Sequence, residues 1–218
     1  MSKKKKIRKR FKRMSKNKRD IELKNLEAEY NTESIINFLE LELKKDKKKV
    51  SSHSKYVVYL AIEILKQKKI DLTKLEKEIV IYGALLHDIG KYKTKGRKHA
   101  DEGVNIVNNQ SDDKVFEKVQ SIIPQILTVI DFHNRTIQLS KDNIEDDKLR
   151  LIAKAVHDAD KISKIHKKRT WVKKEKYFEK EKYFKKKKMI RTVESIRKKL
   201  VIRESEKVLD KCIEPLNW

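Results

Sequence analysis

The stretch from Thr73 to Lys93, TKLEKEIVIYGALLHDIGKYK, decides how the rest of the chain is read. It opens with Thr73 and Glu76, the spacing of a capping box, in which hydroxyl and carboxylate each satisfy a backbone N–H of a helix's first turn. Ile79, Val80, Gly83 and Ala84 then recur at the spacing of a helical face. The pattern predicts a helix from Thr73 to about His87, ending where a histidine and an aspartate stand side by side. A basic loop, Ile89 to Lys98, follows and contains Gly90 and Gly96.

The same period recurs on both sides. Thr32 reads as the cap of a helix carrying Ile35, Ile36, Phe38, Leu39 and Leu43. A helix from Ser51 or Ser52 aligns Val57, Leu60, Ala61, Ile64 and Leu65. Downstream, a short helix carries Ala100, Val104 and Val107. Ser111 reads as the cap of another, with Val115, Val119, Ile122, Ile126 and Ile130, which Pro124 bends or divides. Asp146 or Asp147 opens a helix through Leu149, Ile152, Ala153 and Val156, and a last amphipathic helix spans roughly Ile190 to Ile213.

Composition points the same way. Charged residues make up 41% of the 218, with only 4 Gly and 2 Pro, which disfavours turn-rich β architecture. The predicted fold class is all-α. The expected organisation is a basic, disordered arm over 1–30 with order beginning near Asn31, a helical domain over 31–165, and a basic helical extension over 166–218 packing on it.

Fifty-seven Lys and Arg against 33 Asp and Glu leave a formal charge of +24, which makes a polyanion the natural partner or substrate. Twelve of the first nineteen residues are basic. The stretch 167–191 interleaves Lys and Arg with Trp171, Tyr177, Phe178, Tyr183 and Phe184, and includes the short duplication KYFEKEKYFKK. The lone Cys212 excludes an internal disulfide and a cysteine metal knuckle, as expected of a reducing cytosol. No signal-peptide core follows the basic N-terminus, and the longest apolar run, Ile79 to Leu86, is too short for a bilayer, which needs ~20 residues. A soluble, cytoplasmic protein that does not engage membranes is expected; oligomeric state is not legible.

Chemistry concentrates at a few inward positions. His53 falls four before Val57, His87 four after Gly83 with Asp88 beside it, His133 three after Ile130, and Asp160 four after Val156. Each therefore shares a helix face with an apolar stripe. A single inward histidine is ordinarily a hydrogen-bonded core residue. Inward carboxylates are harder to accommodate, because burying one costs several kcal/mol without a compensating cation or hydrogen bonds. Two carboxylates converging with several imidazoles argue for a shared cation.

The segments SSHSKYVVYLAIEIL, YGALLHDIGKYK, KHADEGVNIV, IDFHN and KAVHDADKI, in this order, resemble the HD superfamily of metal-dependent phosphohydrolases, over about residues 50–165. The resemblance implies that His53, His87, Asp88 and Asp160 hold a first divalent metal, and that His99 and His133 hold a second, with Asp88 bridging. The Ala-Asp-basic-apolar pattern at 159–162 favours Asp160 over Asp158 as the ligand; Asp158 and His157 read as outer contacts, substrate contacts or surface groups. Imidazole with carboxylate and no thiolate suits Mn, Fe, Co, Ni, Zn or Mg, one or two ions. Such a cation lowers the pKa of its water towards ~7, so that hydroxide attacks phosphorus, and a second ion clamps the phosphoryl oxygens.

Asp88 is thus a catalytic candidate, and Lys91, three residues on, a catalytic and substrate-binding one that holds a phosphate oxygen as a point charge. Lys161 is a further candidate substrate contact; Lys93, Thr94, Lys95, Arg97 and Lys98 extend the basic rim. The expected substrate is a phosphorylated small molecule or nucleotide, as phosphomonoester, phosphodiester or anhydride. No HHE with a following Gly-Tyr-Pro segment is present, which disfavours the cyclic-dinucleotide phosphodiesterase branch. Walker A and Rossmann glycine patterns are absent too. The competing expectation is an RNA- or ribosome-associated binding protein with this fold as scaffold. Its nucleic-acid contacts would be Lys4, Lys5, Arg8, Arg10 and Arg13 in the arm, with Trp171 stacking on a base.

Overall fold

A computed structural model of the chain describes residues 19–42, 47–94, 98–133, 144, 146–174 and 189–213. Among them are nine α-helices and no strand. They are α1 (19–30), α2 (Glu33–Glu42), α3 (Lys47–Gln67), α4 (Lys74–Leu86), α5 (His99–Asn109), α6 (Ile123–Phe132), α7 (Asp147–Lys174), α8 (189–197) and α9 (Ser205–Ile213), with 3-10 turns at Ile89–Tyr92 and Glu117–Ile122. The all-α expectation is met. No described helix is long and apolar enough to cross a membrane.

Helix α4 is the axis of the bundle. Its capping box forms as the sequence predicts: Glu76 N–H donates to Thr73 Oγ1 at 3.3 Å and Thr73 N–H donates to Glu76 Oε2 at 2.7 Å. From Ile79 to Leu86 every residue is buried, so the helix is apolar all round where neighbours surround it. Helices α3, α6 and α7 pack on it, and α3 and α7 lie against each other along their length. Gly83 allows a close approach of α6: a Cβ there would lie 2.6 Å from Val129 Cγ1.

Helix α7 starts where Asp146 caps it, its Oδ1 accepting from the N–H of Lys148 at 2.7 Å and of Leu149 at 3.1 Å. It runs to Lys174 without a break at the change of composition near His166.

Several expectations are corrected. Helix α1 occupies 19–30, so order does not begin at Asn31, and the Tyr82 hydroxyl fastens its end by donating to Tyr30 O at 2.6 Å. Asn31, in the left-handed region at φ 47, breaks the chain between α1 and α2. Thr32 precedes α2 but its buried hydroxyl has no hydrogen-bond partner, so it is no side-chain cap. Helix α3 begins at Lys47, before either serine. Ser111 donates to Asn108 O in a turn and caps nothing; the segment after it is a 3-10 turn, and Pro124 stands in the first turn of α6, where its missing N–H costs no bond. The last predicted helix is two, α8 and α9, separated at 198–204. Residues 1–18, with the greater part of the predicted arm, and the duplication at 176–186 lie outside the described residues.

Candidate metal centre

The donors come from five places in the bundle. His53 stands near the start of α3, His87 caps the C-terminus of α4, and Asp88 follows in the turn. His99 opens α5, His133 caps α6, and Asp160 lies midway along α7. Gly90 draws these pieces together. A Cβ there would lie 1.9 Å from His99 O and 2.5 Å from Gly103 N, so only glycine lets the doublet's turn lie against the first turn of α5.

The two Asp88 oxygens face different ways. Oδ2 lies 3.4 Å from both His53 Nε2 and His87 Nε2. Oδ1 lies 3.5 Å from His99 Nε2 and 3.6 Å from His133 Nε2. Asp160 Oδ1 completes the first group, 3.5 Å from His53 Nε2 and 3.9 Å from His87 Nε2. The second group is closed by His99 Nε2 and His133 Nε2, 2.9 Å apart. Two sets of donors thus share one carboxylate, His53, His87, Asp88 and Asp160 on one side and Asp88, His99 and His133 on the other, each within 4.8 Å of one another.

Three features fit a divalent cation in each set. Bonds of ~2.1 Å put neighbouring donors ~3.0 to 3.4 Å apart in octahedral or tetrahedral geometry, close to the observed separations. His87 Nε2, Asp88 Oδ1 and Asp160 Oδ1 are buried without a hydrogen-bond partner, an arrangement that costs stability unless a further ligand compensates. Finally, the rings are held with Nε2 inward. His87 Nδ1 donates to Ala84 O at 2.7 Å and His133 Nδ1 to Ile130 O. Ser163 Oγ, which donates to Asp160 O at 2.7 Å, sits 3.5 Å from His53 Nδ1 with a lone pair to spare. Such outer bonds fix the tautomer and leave the Nε2 lone pair for a metal.

Electrostatics agree. Burial alone would raise the Asp88 carboxyl, but the imidazoles of His87, His133 and His53 outweigh it and hold the group well below the usual carboxylate range. Asp160 is likewise raised by burial and lowered further by His53, His87 and Lys164, and ends well below that range. Burial pushes the His133 imidazole down to about 4, against the pull of Asp88. Ionised acids and neutral imidazole are the forms a cation needs.

Of the expected substrate contacts, Lys91 Nζ pairs with Asp88 Oδ2 and Lys161 Nζ lies 3.3 Å from Asp160 Oδ2. Lys161 is pushed below the lysine range by burial, with Asp160 opposing. Lys164, which sequence reading passes over, lies 3.1 Å from the same oxygen, one helical turn on from Asp160. Lys93 pairs with Glu102 at 3.2 Å, and Thr94 Oγ1 donates to Gly90 O at 3.5 Å. Residues 95–97 lie outside the described residues, as do Lys4, Lys5, Arg8, Arg10 and Arg13; of Trp171 only the backbone, in α7, is described. A surface groove of about 380 Å³ between α5 and α6, lined by Asp101, Val104, Asn105, Leu127, Thr128 and Asp131, includes none of the donors.

Asp158 is neither a surface group nor a substrate contact. Fully buried, it accepts from Val201 N–H at 3.0 Å, Ile202 N–H at 2.9 Å, Ser205 Oγ at 2.7 Å and His157 Nδ1 at 3.0 Å. It ties the segment before α9 to α7, and three of its four partners lie over 40 residues away in sequence, where no local pattern foretells them.

A scan against protein-family models matches the HD domain over residues 50–165. Searches of curated proteins and of solved structures each returned no significant match. The matched stretch is more than half of the chain and contains all the donors of both sets. Sequence family and donor geometry converge on the His87–Asp88 doublet, and the chain belongs to the HD domain family of metal-dependent phosphohydrolases.

Proposed function

We propose that the protein hydrolyses a phosphate ester or anhydride, with a nucleotide as the substrate class, using two divalent ions. The observation that carries this reading is the division of Asp88, with one oxygen toward His53, His87 and Asp160 and the other toward His99 and His133. In it His53, His87, Asp88 and Asp160 hold one ion, and Asp88, His99 and His133 the other. Bound divalent cations would supply an activated water and neutralise phosphoryl charge.

The chain's own groups do the rest. Ala84 O, Ile130 O and Ser163 Oγ keep the rings oriented, which spares reorganisation when substrate arrives. Lys91, half-exposed beside Asp88, holds a non-bridging phosphate oxygen as a point charge. The apolar residues around the doublet, Leu86 and Ile89, exclude water and strengthen each charge interaction.

The test is a panel of phosphate compounds offered with Mn, Fe, Co, Ni and Mg to anaerobically purified protein, with metal content measured. Stoichiometric metal and phosphate release that the His87→Ala, Asp88→Ala double variant abolishes support the reading. A folded protein that binds no divalent ion overturns it. The net charge of +24 motivates a second reading, retention of RNA by the basic segments. In that case deleting residues 1–19 weakens RNA retention while the double variant leaves it unchanged.

A further inference from the structure

The acids of the metal centre face lysines as well as histidines. Asp160 turns Oδ1 to His53 and His87 and Oδ2 to Lys164, at 3.1 Å, and Lys161, at 3.3 Å. Lys91 reaches Oδ2 of Asp88. Lys91 and Lys164 both lie close enough to Lys161 to act on it electrostatically. In a chain this basic, a lysine near any acid is unremarkable, but chance lysines keep their heads in water. Lys161 is the most enclosed of the three, and burial lowers its basicity: its side chain is 15% exposed, against 46% for Lys91 and 48% for Lys164. Lys161 therefore sits deepest beside Asp160, and Lys91 and Lys164 reach further into solvent.

Their present partners are the carboxylates that cations would occupy. The inference rests on the two-ion reading, under which Asp88 and Asp160 turn their charge to the metals and the lysines face incoming substrate. Two carboxylates against three lysines and two divalent ions leave an excess of about five positive charges. A phosphomonoester brings at most about two negative charges, too few to balance it. A chain of linked phosphoryl groups brings more, and places them beyond the scissile phosphorus.

We propose that Lys91, Lys161 and Lys164 form a subsite for the phosphoryl group adjoining the scissile one, so that the substrate carries an oligophosphate chain and the bond cleaved is a phosphoanhydride. A water oxygen bonds to the scissile phosphorus. The bond from that phosphorus to the bridging oxygen breaks, and the bridging oxygen leaves with the bonding pair as part of a departing phosphate. The lysines meet its growing charge; the water's protons pass to the departing phosphate and to solvent.

The test is equilibrium dialysis of the full chain against orthophosphate and inorganic tripolyphosphate, with Mn²⁺ in excess over both and bound manganese counted in the same samples. Tripolyphosphate is expected to bind about tenfold or more tightly than orthophosphate, the effect of one charge-assisted hydrogen bond or more. Lys164→Ala, a change at a half-exposed side chain, should remove most of that preference with manganese stoichiometry unchanged; Lys77→Ala, on the exposed face of α4, should remove none. Equal affinity for the two anions, or a preference that survives Lys164→Ala and Lys161→Ala alike, overturns the subsite and leaves the metal centre standing. A wild-type protein that binds no manganese overturns the metal reading and the subsite with it.

Discussion

Asp158 and Asp160 stand two residues apart on α7 and serve opposite sides of it. Asp158 accepts hydrogen bonds from four donors, three of them in the segment before α9 and its first residue, while Asp160 faces His53 and His87. Two positions on a helix are ~200° apart, which is why neighbouring acids with similar sequence surroundings have unrelated tasks.

Removing Asp158 should cost stability and spare the metal. Asp158→Ala leaves Val201 N–H, Ile202 N–H and Ser205 Oγ without their acceptor, a loss of ~3 kcal/mol or more. At roughly 2–4 °C per kcal/mol for a chain of this size, Tm should fall by roughly 10 °C, with bound metal per folded protein unchanged. Thermal unfolding beside metal analysis checks this; an unchanged Tm with lost metal would reverse the assignments of the two acids.

The donor sets should separate by mutation. His133→Ala removes one ligand of the second set only and should lower the count from two ions to one. Asp88→Asn weakens both sets and should reduce both, with turnover down by about 10³ or more. Metal analysis after gel filtration reads the difference directly. Equal losses in the two variants would mean that a single shared ion is held.

Gly90→Ala tests the packing that joins the sets. The new methyl would meet His99 O at 1.9 Å, a clash with backbone that no rotamer relieves. Destabilisation of ~3 kcal/mol or more is expected, with the second ion lost first because His99 must move. Chemical denaturation and metal counting report the two effects independently.

Acid should weaken the metal-free protein from below neutrality. The folded His133 titrates at about 4 against an ordinary 6.5, so as pH falls between those values the unfolded chain takes up the proton first. Its stabilising contribution is therefore complete above 6.5 and is lost as pH falls towards 4, by at most about 1.4 kcal/mol per pH unit. Asp88 and Asp160, depressed below the carboxylate range, add a loss of the same sign at lower pH. In EDTA-treated protein, His133→Gln should flatten the upper window alone. Urea midpoints taken from pH 7 to 4 decide it; an equal slope in the variant removes His133 as the cause.

Much of this was legible in the sequence because helical periodicity and ligand chemistry impose local rules. The capping box at Thr73 and Glu76 formed as read, and His53, His87, His133 and Asp160 lie inward because their apolar neighbours do. His99 came from the family resemblance alone: it opens its helix, before any stripe sets a register. Lys164 and Ser163 were missed since one more lysine or serine carries no signal until a fold places it beside Asp160 or His53. The break between α8 and α9 contains neither glycine nor proline. Its backbone N–H groups at Val201 and Ile202 donate to the distant Asp158, a partner that no reading of residues 190–213 by themselves would find.

The anchoring of residues 201–205 to Asp158 bears on how the HD domain can be cut out of this chain. A fragment trimmed to the matched 50–165 would retain each proposed ligand, yet it would lose Val201, Ile202 and Ser205 and open to water a carboxylate that is fully buried in the whole chain, two positions from Asp160. The buried surroundings of the helix that bears Asp160 thus reach past the span that matches the family, and the tail after α8 forms part of their scaffolding.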